Sequence, residues 1–97
     1  MLEQQIQSAI LRYLKSKNIY AVKIITASKS GVPDILACLK GRFVGFEIKA
    51  PRRIGNVSEL QKYNIAKIKA AGGEAYIVTS LDEVQAIVEK LLANSRP

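Results

Sequence analysis

Asp34, Glu47 and Lys49 are the residues whose types and spacing best suit chemistry on a phosphate ester. They fall in the run Pro33-Asp34-Ile35-Leu36-Ala37-Cys38-Leu39-Lys40-Gly41-Arg42-Phe43-Val44-Gly45-Phe46-Glu47-Ile48-Lys49. A glycine and one further residue between two apolar runs signal a two-residue hairpin, which predicts a turn at Gly41-Arg42. In that register Lys40 faces Phe43, Leu36 faces Glu47 and Asp34 faces Lys49. Side chains alternate between the faces of a strand. One face then carries Ile35, Ala37, Leu39, Val44, Phe46 and Ile48, all apolar. The other carries Asp34, Glu47 and Lys49 at its open end.

Diagonal neighbours on adjacent strands lie roughly 7–8 Å apart. From that separation the Asp34 and Glu47 carboxylates can converge on one cation. Oxygen-only ligation suits Mg2+ or Mn2+, with the Ile48 carbonyl as a further oxygen. Lys49 beside the ion would orient or deprotonate a water, or hold a phosphate oxygen. These are the parts of a metal-assisted hydrolysis. A competing reading makes Asp34 and Lys49 a cross-strand ion pair and leaves Glu47 solvated. The wholly apolar opposite face, which fixes the register, and the specific Gly31-to-Pro33 approach to Asp34 weigh against it.

Composition narrows the chemistry. The 97 residues predict a single domain, 1–97, with a modest core. No histidine is present, which excludes imidazole bases and His-metal nucleases. The one cysteine, Cys38, excludes an internal disulfide or a multi-cysteine zinc site and reads as a small buried filler. No apolar run has the length of a membrane span, and no signal peptide is expected. An intracellular, cytoplasmic protein is the expectation. Residues 1–53 hold ten Lys/Arg against Glu3, Asp34 and Glu47, whereas residues 54–97 balance five against five, so all of the +7 net charge lies in the first part. A basic surface attracts phosphate backbones through counterion release. Solvated lysines on a soluble protein would give the same composition; the placement of the three acids favours the phosphate reading.

The elements that must position these residues follow from periodicity. Residues 2–17 read as an amphipathic helix, with Leu2, Ile6, Ala9, Ile10, Tyr13 and Leu14 on one side and Asn18 as its stop. Ile19 to Ile25 reads as a strand. A polar loop leads to Asp34, and the hairpin follows. Ala50 to Val57 is a loop with paired arginines. Ser58-Glu59-Leu60-Gln61 opens a second helix as a capping box, and Gly72-Gly73 closes it. Glu74 to Thr79 is a strand. Ser80 to Glu83 caps a last helix with Val84, Ile87, Val88, Leu91 and Leu92 on its apolar side. Residues 94–97 read as a frayed tail. The order αβββαβα permits a parallel crossover, so the fold class is α/β with a mixed four-stranded sheet flanked by helices.

Pro33-Asp34, a spacer and Glu47-Ile48-Lys49 resemble the PD-(D/E)XK nuclease motif on its restriction-endonuclease-like core. Within that superfamily the chain looks most like a stand-alone VRR-NUC domain. The resemblance rests on Ser30 to Ile35, Gly41-Arg42, Glu47 to Pro51 and Ser58 to Gln61, and extends from Glu3 to about Val84. The name-giving Val-Arg-Arg triplet has no clear match, although Pro51-Arg52-Arg53 is basic. The resemblance implies that an acid of the first helix completes the metal site. Glu3 is the only one available there; its other reading is a first-turn complement to the helix dipole. It also implies that Gln61 sits beside the catalytic lysine, against a plain capping role for that side chain.

Lys29, Ser30, Arg52 and Arg53 border the expected site on two loops and suit phosphate contacts. Lys23, Lys40 and Arg42 are weaker candidates. Tyr13, Tyr20, Tyr63 and Tyr76 form no stacking pattern in sequence and read as packing. The expected protein is a Mg2+- or Mn2+-dependent endonuclease reading DNA shape, most of all a four-way (Holliday) junction. One site per subunit then implies a homodimer; the last helix is a candidate contact, although covering the sheet is the first duty expected of its apolar side. The alternatives are a non-catalytic basic DNA-binding module, and the same nuclease core acting on flaps, nicks or linear duplex.

Overall fold

A computed structural model of the protein describes residues 2–94. The first helix, α1 (Glu3–Ser16), buries Ile6, Ile10 and Leu14, a spacing of four that places them on one side. Leu2 shares that spacing but is the N-cap in an extended conformation, before the first helical residue, and is exposed. Asn18 takes a left-handed conformation at φ 59°, which turns the chain out of the helix. Strand β1 (Tyr20–Lys23) is shorter than its apolar run, and β2 (Ile35–Leu39) and β3 (Arg42–Ile48) form the hairpin. A 3-10 helix at Pro51–Asn56 occupies what the sequence suggested was a loop. Helix α2 (Glu59–Ala70) is the crossover to β4 (Glu74–Val78), and α3 (Leu81–Ala93) completes the fold.

The sheet has the order β1-β2-β3-β4; its first two pairs are antiparallel and β3–β4 is parallel. The expected order αβββαβα and mixed sheet are therefore present. The hairpin turn differs from the expectation. Leu39 pairs with Arg42, so Lys40 and Gly41 form the turn, with φ of 53° and 81°. Two left-handed turn residues match the right-handed strand twist, which explains why the turn sits one residue earlier. The ladder pairs Ile35 with Phe46 and Leu36 with Gly45, and extending it one step sets Asp34 against Glu47 rather than Lys49. The register moves by two, so every side chain keeps its expected face.

On one face Ile35, Ala37, Leu39, Val44, Phe46, Ile48 and Val78 join α1 and α3 in a single core. Val84, Val88 and Leu91 of α3 are buried in it, with Ile87 and Leu92 packed alongside. The apolar side of that helix thus covers the sheet, the first duty expected of it, and is not free for a dimer contact. The other face is covered by α2, which packs mainly on β4. Only Asn64 of α2 is fully buried, and Leu60, expected within an inward stripe, is exposed. The second face is half roofed. Cys38 is consequently exposed, not a buried filler, and Tyr20 and Tyr63 lie at the surface instead of packing.

Candidate active site at the end of the hairpin

Residues 31–34 reach the site along a path set by close packing. Gly31 adopts φ +84°, and a Cβ there would meet Leu60 and Asn64 of α2 at 2.8–2.9 Å. Asn64 Nδ2 donates to the Ser30 carbonyl at 3.1 Å and the Leu60 carbonyl at 2.9 Å, tying this loop to the helix. Pro33 then rests on Gly45 of β3, where a Cβ would approach its ring to 2.8 Å. A glycine inside a strand often marks such close approach. Asn64 and Gly45 thus position Asp34, and the sequence reading singled out neither. The signals for them were a polar residue on an inward helix side and a glycine interrupting an apolar strand.

Asp34 is fixed at both its backbone and its side chain. Its carbonyl accepts from the Ile24 amide at 2.8 Å, and its Oδ2 accepts from the Ile48 amide at 2.8 Å. Across the ladder, Glu47 is only 3 % exposed, far from the solvated position it has in the ion-pair reading. Its Oε2 accepts from Gln61 Nε2 at 2.9 Å and lies 3.8 Å from Lys49 Nζ. The Lys49 amide donates to the Val78 carbonyl at 2.9 Å, which anchors the strand end against β4. Among the described residues, the ion pair of Lys49 is with Glu47, not Asp34.

Gln61 closes the helix cap and also reaches into the site. Its Oε1 accepts from the Ser58 amide at 2.9 Å while its own amide donates to Ser58 Oγ at 3.1 Å, closing the capping box. The side-chain amide nitrogen, Nε2, is the donor that reaches Glu47. A helix start thus delivers a donor into the site.

Burial, with Asp34 beside it, pushes the Glu47 carboxyl up to about 8, although the nearby Lys49 pulls in the other direction. Two carboxyl groups within reach of one another share a proton when no other positive charge lies between them. A divalent cation is the natural substitute for that proton, and an oxygen donor set fits Mg2+ or Mn2+. The donor chemistry of this pair therefore fits such an ion.

Glu3 is placed differently from the expected third ligand. Its Oε2 accepts from the Ala50 amide at 3.0 Å, just past the end of β3. It still lies near enough to contribute to the rise of Glu47. Among the described residues no group of three acids, cysteines or histidines is arranged to hold a metal. Arg52 and Arg53 are exposed on the 3-10 helix and, with Leu2, Glu3 and Ala50, border a hollow of about 150 Å3. Lys29 and Ser30 are exposed on the loop before Asp34, and Lys29 faces a groove further along α2.

No family model matches this sequence, and no curated protein matches it. Among solved structures, one described as "VRR_NUC domain" is similar over 97 % of both chains, with a TM-score of 0.73 and 20 % identity. The chain thus has the fold of a VRR-NUC domain, as the motif resemblance implied. Among the described residues no helix is long and apolar enough to cross a membrane.

Proposed function

We propose that the protein is a divalent-metal-dependent endonuclease that hydrolyses phosphodiester bonds in structured DNA. The observation that carries this reading is the side-by-side placement of Asp34 and Glu47, with Gln61 and Lys49 both directed at one Glu47 oxygen. The fold shared with a VRR-NUC domain supports it. In this proposal Asp34, Glu47 and the Ile48 carbonyl would hold Mg2+ or Mn2+, with Glu3 as a further acid close to Glu47. The bound ion would neutralise phosphate charge and make water more acidic. Lys49 would orient or deprotonate the attacking water, and Gln61 would fix the Glu47 carboxylate through its bond to Oε2. Arg52 and Arg53 on one flank, and Lys29 and Ser30 on another, grip phosphates around the cleavage point.

The favoured substrate is a branched duplex, above all a Holliday junction, cut by a homodimer with one site per subunit. The protein would then work inside the cell in association with DNA. A basic DNA-binding module with structural acids is the competing reading. What favours it is the bond of Glu3 to Ala50, which leaves Asp34 and Glu47 without a third acid. A panel of synthetic junctions, flaps, nicked and linear duplexes, incubated with and without Mg2+ or Mn2+, separates the readings. Metal-dependent cleavage of junctions supports the proposal. Tight DNA binding without cleavage under any metal would overturn it.

A further inference from the structure

The half-roofed face of the sheet has an order that the site alone does not explain. Register and alternation set Tyr20, Cys38 and Phe43 in one row across β1, β2 and β3. The next row is Val22, Leu36 and Gly45, and one step further along the same face lie Asp34 and Glu47. The first row is open to solvent. Tyr20 is 74 % exposed, Phe43 is 49 % exposed, and Cys38 between them is exposed. Exposed apolar groups acquire meaning when they form one patch, and here two aromatics flank an exposed cysteine in a single row.

A groove of about 460 Å3 starts at Phe43 of this row and is lined by Pro33 and Leu36, by Ile68 of α2, and by Lys29 and Lys67. No acidic residue lines it. From Phe43 to Glu47 is four residues along β3, about 13 Å at a rise of about 3.3 Å per residue. Tyr20 and Phe43 are two strands apart, roughly 9.5 Å.

We infer that this face is a platform for single-stranded DNA, with Tyr20 and Phe43 stacking unpaired bases while Lys29 and Lys67 hold the backbone. Its role in feeding the site rests on the nuclease reading; binding itself does not. Aromatic rings beside a cationic groove are the means by which proteins hold single strands without reading sequence. Charge selects this occupant over a second copy of the chain. Two copies joined through this face would bring Lys29 and Lys67 against like charges, whereas a polyanion pairs with them. Position agrees, because the row and the two carboxylates share one face, and the groove runs past Phe43, Leu36 and Pro33 of it. A strand laid along that line would reach the carboxylates at one end while its bases rest on the aromatics. Among branched substrates, this favours DNA with an unpaired segment beside the cleaved bond, such as a flap, over a fully paired four-way junction.

The test uses the full chain in EDTA, so that cleavage plays no part. Fluorescence anisotropy reads binding of a labelled thymidine oligonucleotide and of a blunt duplex of equal length. Tyr20→Ala and Phe43→Ala should each weaken single-strand binding roughly five- to 150-fold, the range for one lost stacking contact, while duplex binding changes less than about twofold. The protein has no tryptophan, so quenching of tyrosine emission by the oligonucleotide should diminish in Tyr20→Ala. Both side chains are exposed, and thermal melts should match the parent. Unchanged single-strand affinity, or equal loss on both DNAs, overturns the platform. So does light scattering that finds the variants monomeric, the parent dimeric and single-strand binding intact, which would assign the face to a second copy. If single-strand binding behaves as expected but no metal supports cleavage, the nuclease reading fails and the platform remains.

Discussion

Along β3, alternate residues enter two environments that differ in almost every physical respect. Val44, Phe46 and Ile48 point into a core closed by α1 and α3, and each is fully buried among apolar neighbours. Gly45 and Glu47 point the other way, beneath an incomplete cover of α2. On the first face burial removes apolar area from water and stabilises the fold directly. On the second, burial places a carboxyl beside another carboxyl, which disfavours its charged form. One strand therefore carries a stabilising side and a strained side. The strained side is where a ligand has something to relieve.

Removing the carboxylates should have the largest effect of any change on the second face. Asp34→Ala or Glu47→Ala is expected to abolish metal-dependent cleavage while DNA binding stays equal or tightens, since each deletes a ligand and a negative charge. Single-turnover assays alongside binding isotherms check this. Wild-type turnover by either variant would show that the two faces differ in structure only.

The opposite outcome is expected on the first face. Phe46 is fully buried and its ring stacks on Tyr76 with centroids 6.1 Å apart. Phe46→Ala should cost about 3–5 kcal/mol of stability, as large-to-small core changes do. Chemical denaturation measures it. A loss under about 1 kcal/mol would mean that the core face is less tightly filled than its burial implies.

Acidity sharpens the comparison further. A carboxyl raised from 4.5 to about 8 binds its proton more tightly in the folded than in the unfolded chain. Stability of the metal-free protein should then fall as pH rises from about 4.5 to about 8, and level off on either side. Glu47→Gln should flatten that slope, and Mg2+ or Mn2+ should restore stability most at the alkaline end, where no proton has to be displaced. Melting curves across pH, with EDTA or with metal, give the answer. An unchanged slope in Glu47→Gln would place the titration elsewhere.

The smallest expected effect lies beyond both faces, on the 3-10 helix. Arg52→Ala with Arg53→Ala should weaken binding to all DNA sequences and lower the salt slope by roughly one unit per lost phosphate contact. Binding isotherms at several salt concentrations resolve this. A double variant with an unchanged slope would show that these exposed arginines do not meet phosphate.

Much of this arrangement was legible in the chain itself. Alternation in the hairpin assigned every residue of β2 and β3 to its face, and the assignment survived a turn placed one residue too late. The reason is that a shift of two in register changes partners but never faces. Helical spacing likewise selected Ile6, Ile10 and Leu14, because a packed helix can bury only one side. Pro33-Asp34 and Glu47-Ile48-Lys49 marked the candidate site without any coordinates.

Tertiary structure alone decided who meets whom. Turn geometry, through two left-handed residues, made Glu47 rather than Lys49 the neighbour of Asp34. The crossing of α2 buried Glu47, brought Gln61 to it and left Tyr20 and Phe43 in the open. Local pattern records which side of an element is apolar. How far a neighbouring helix extends over that side depends on contacts between residues distant in the chain, such as Gly31 with Leu60 and Pro33 with Gly45, and no periodicity encodes those.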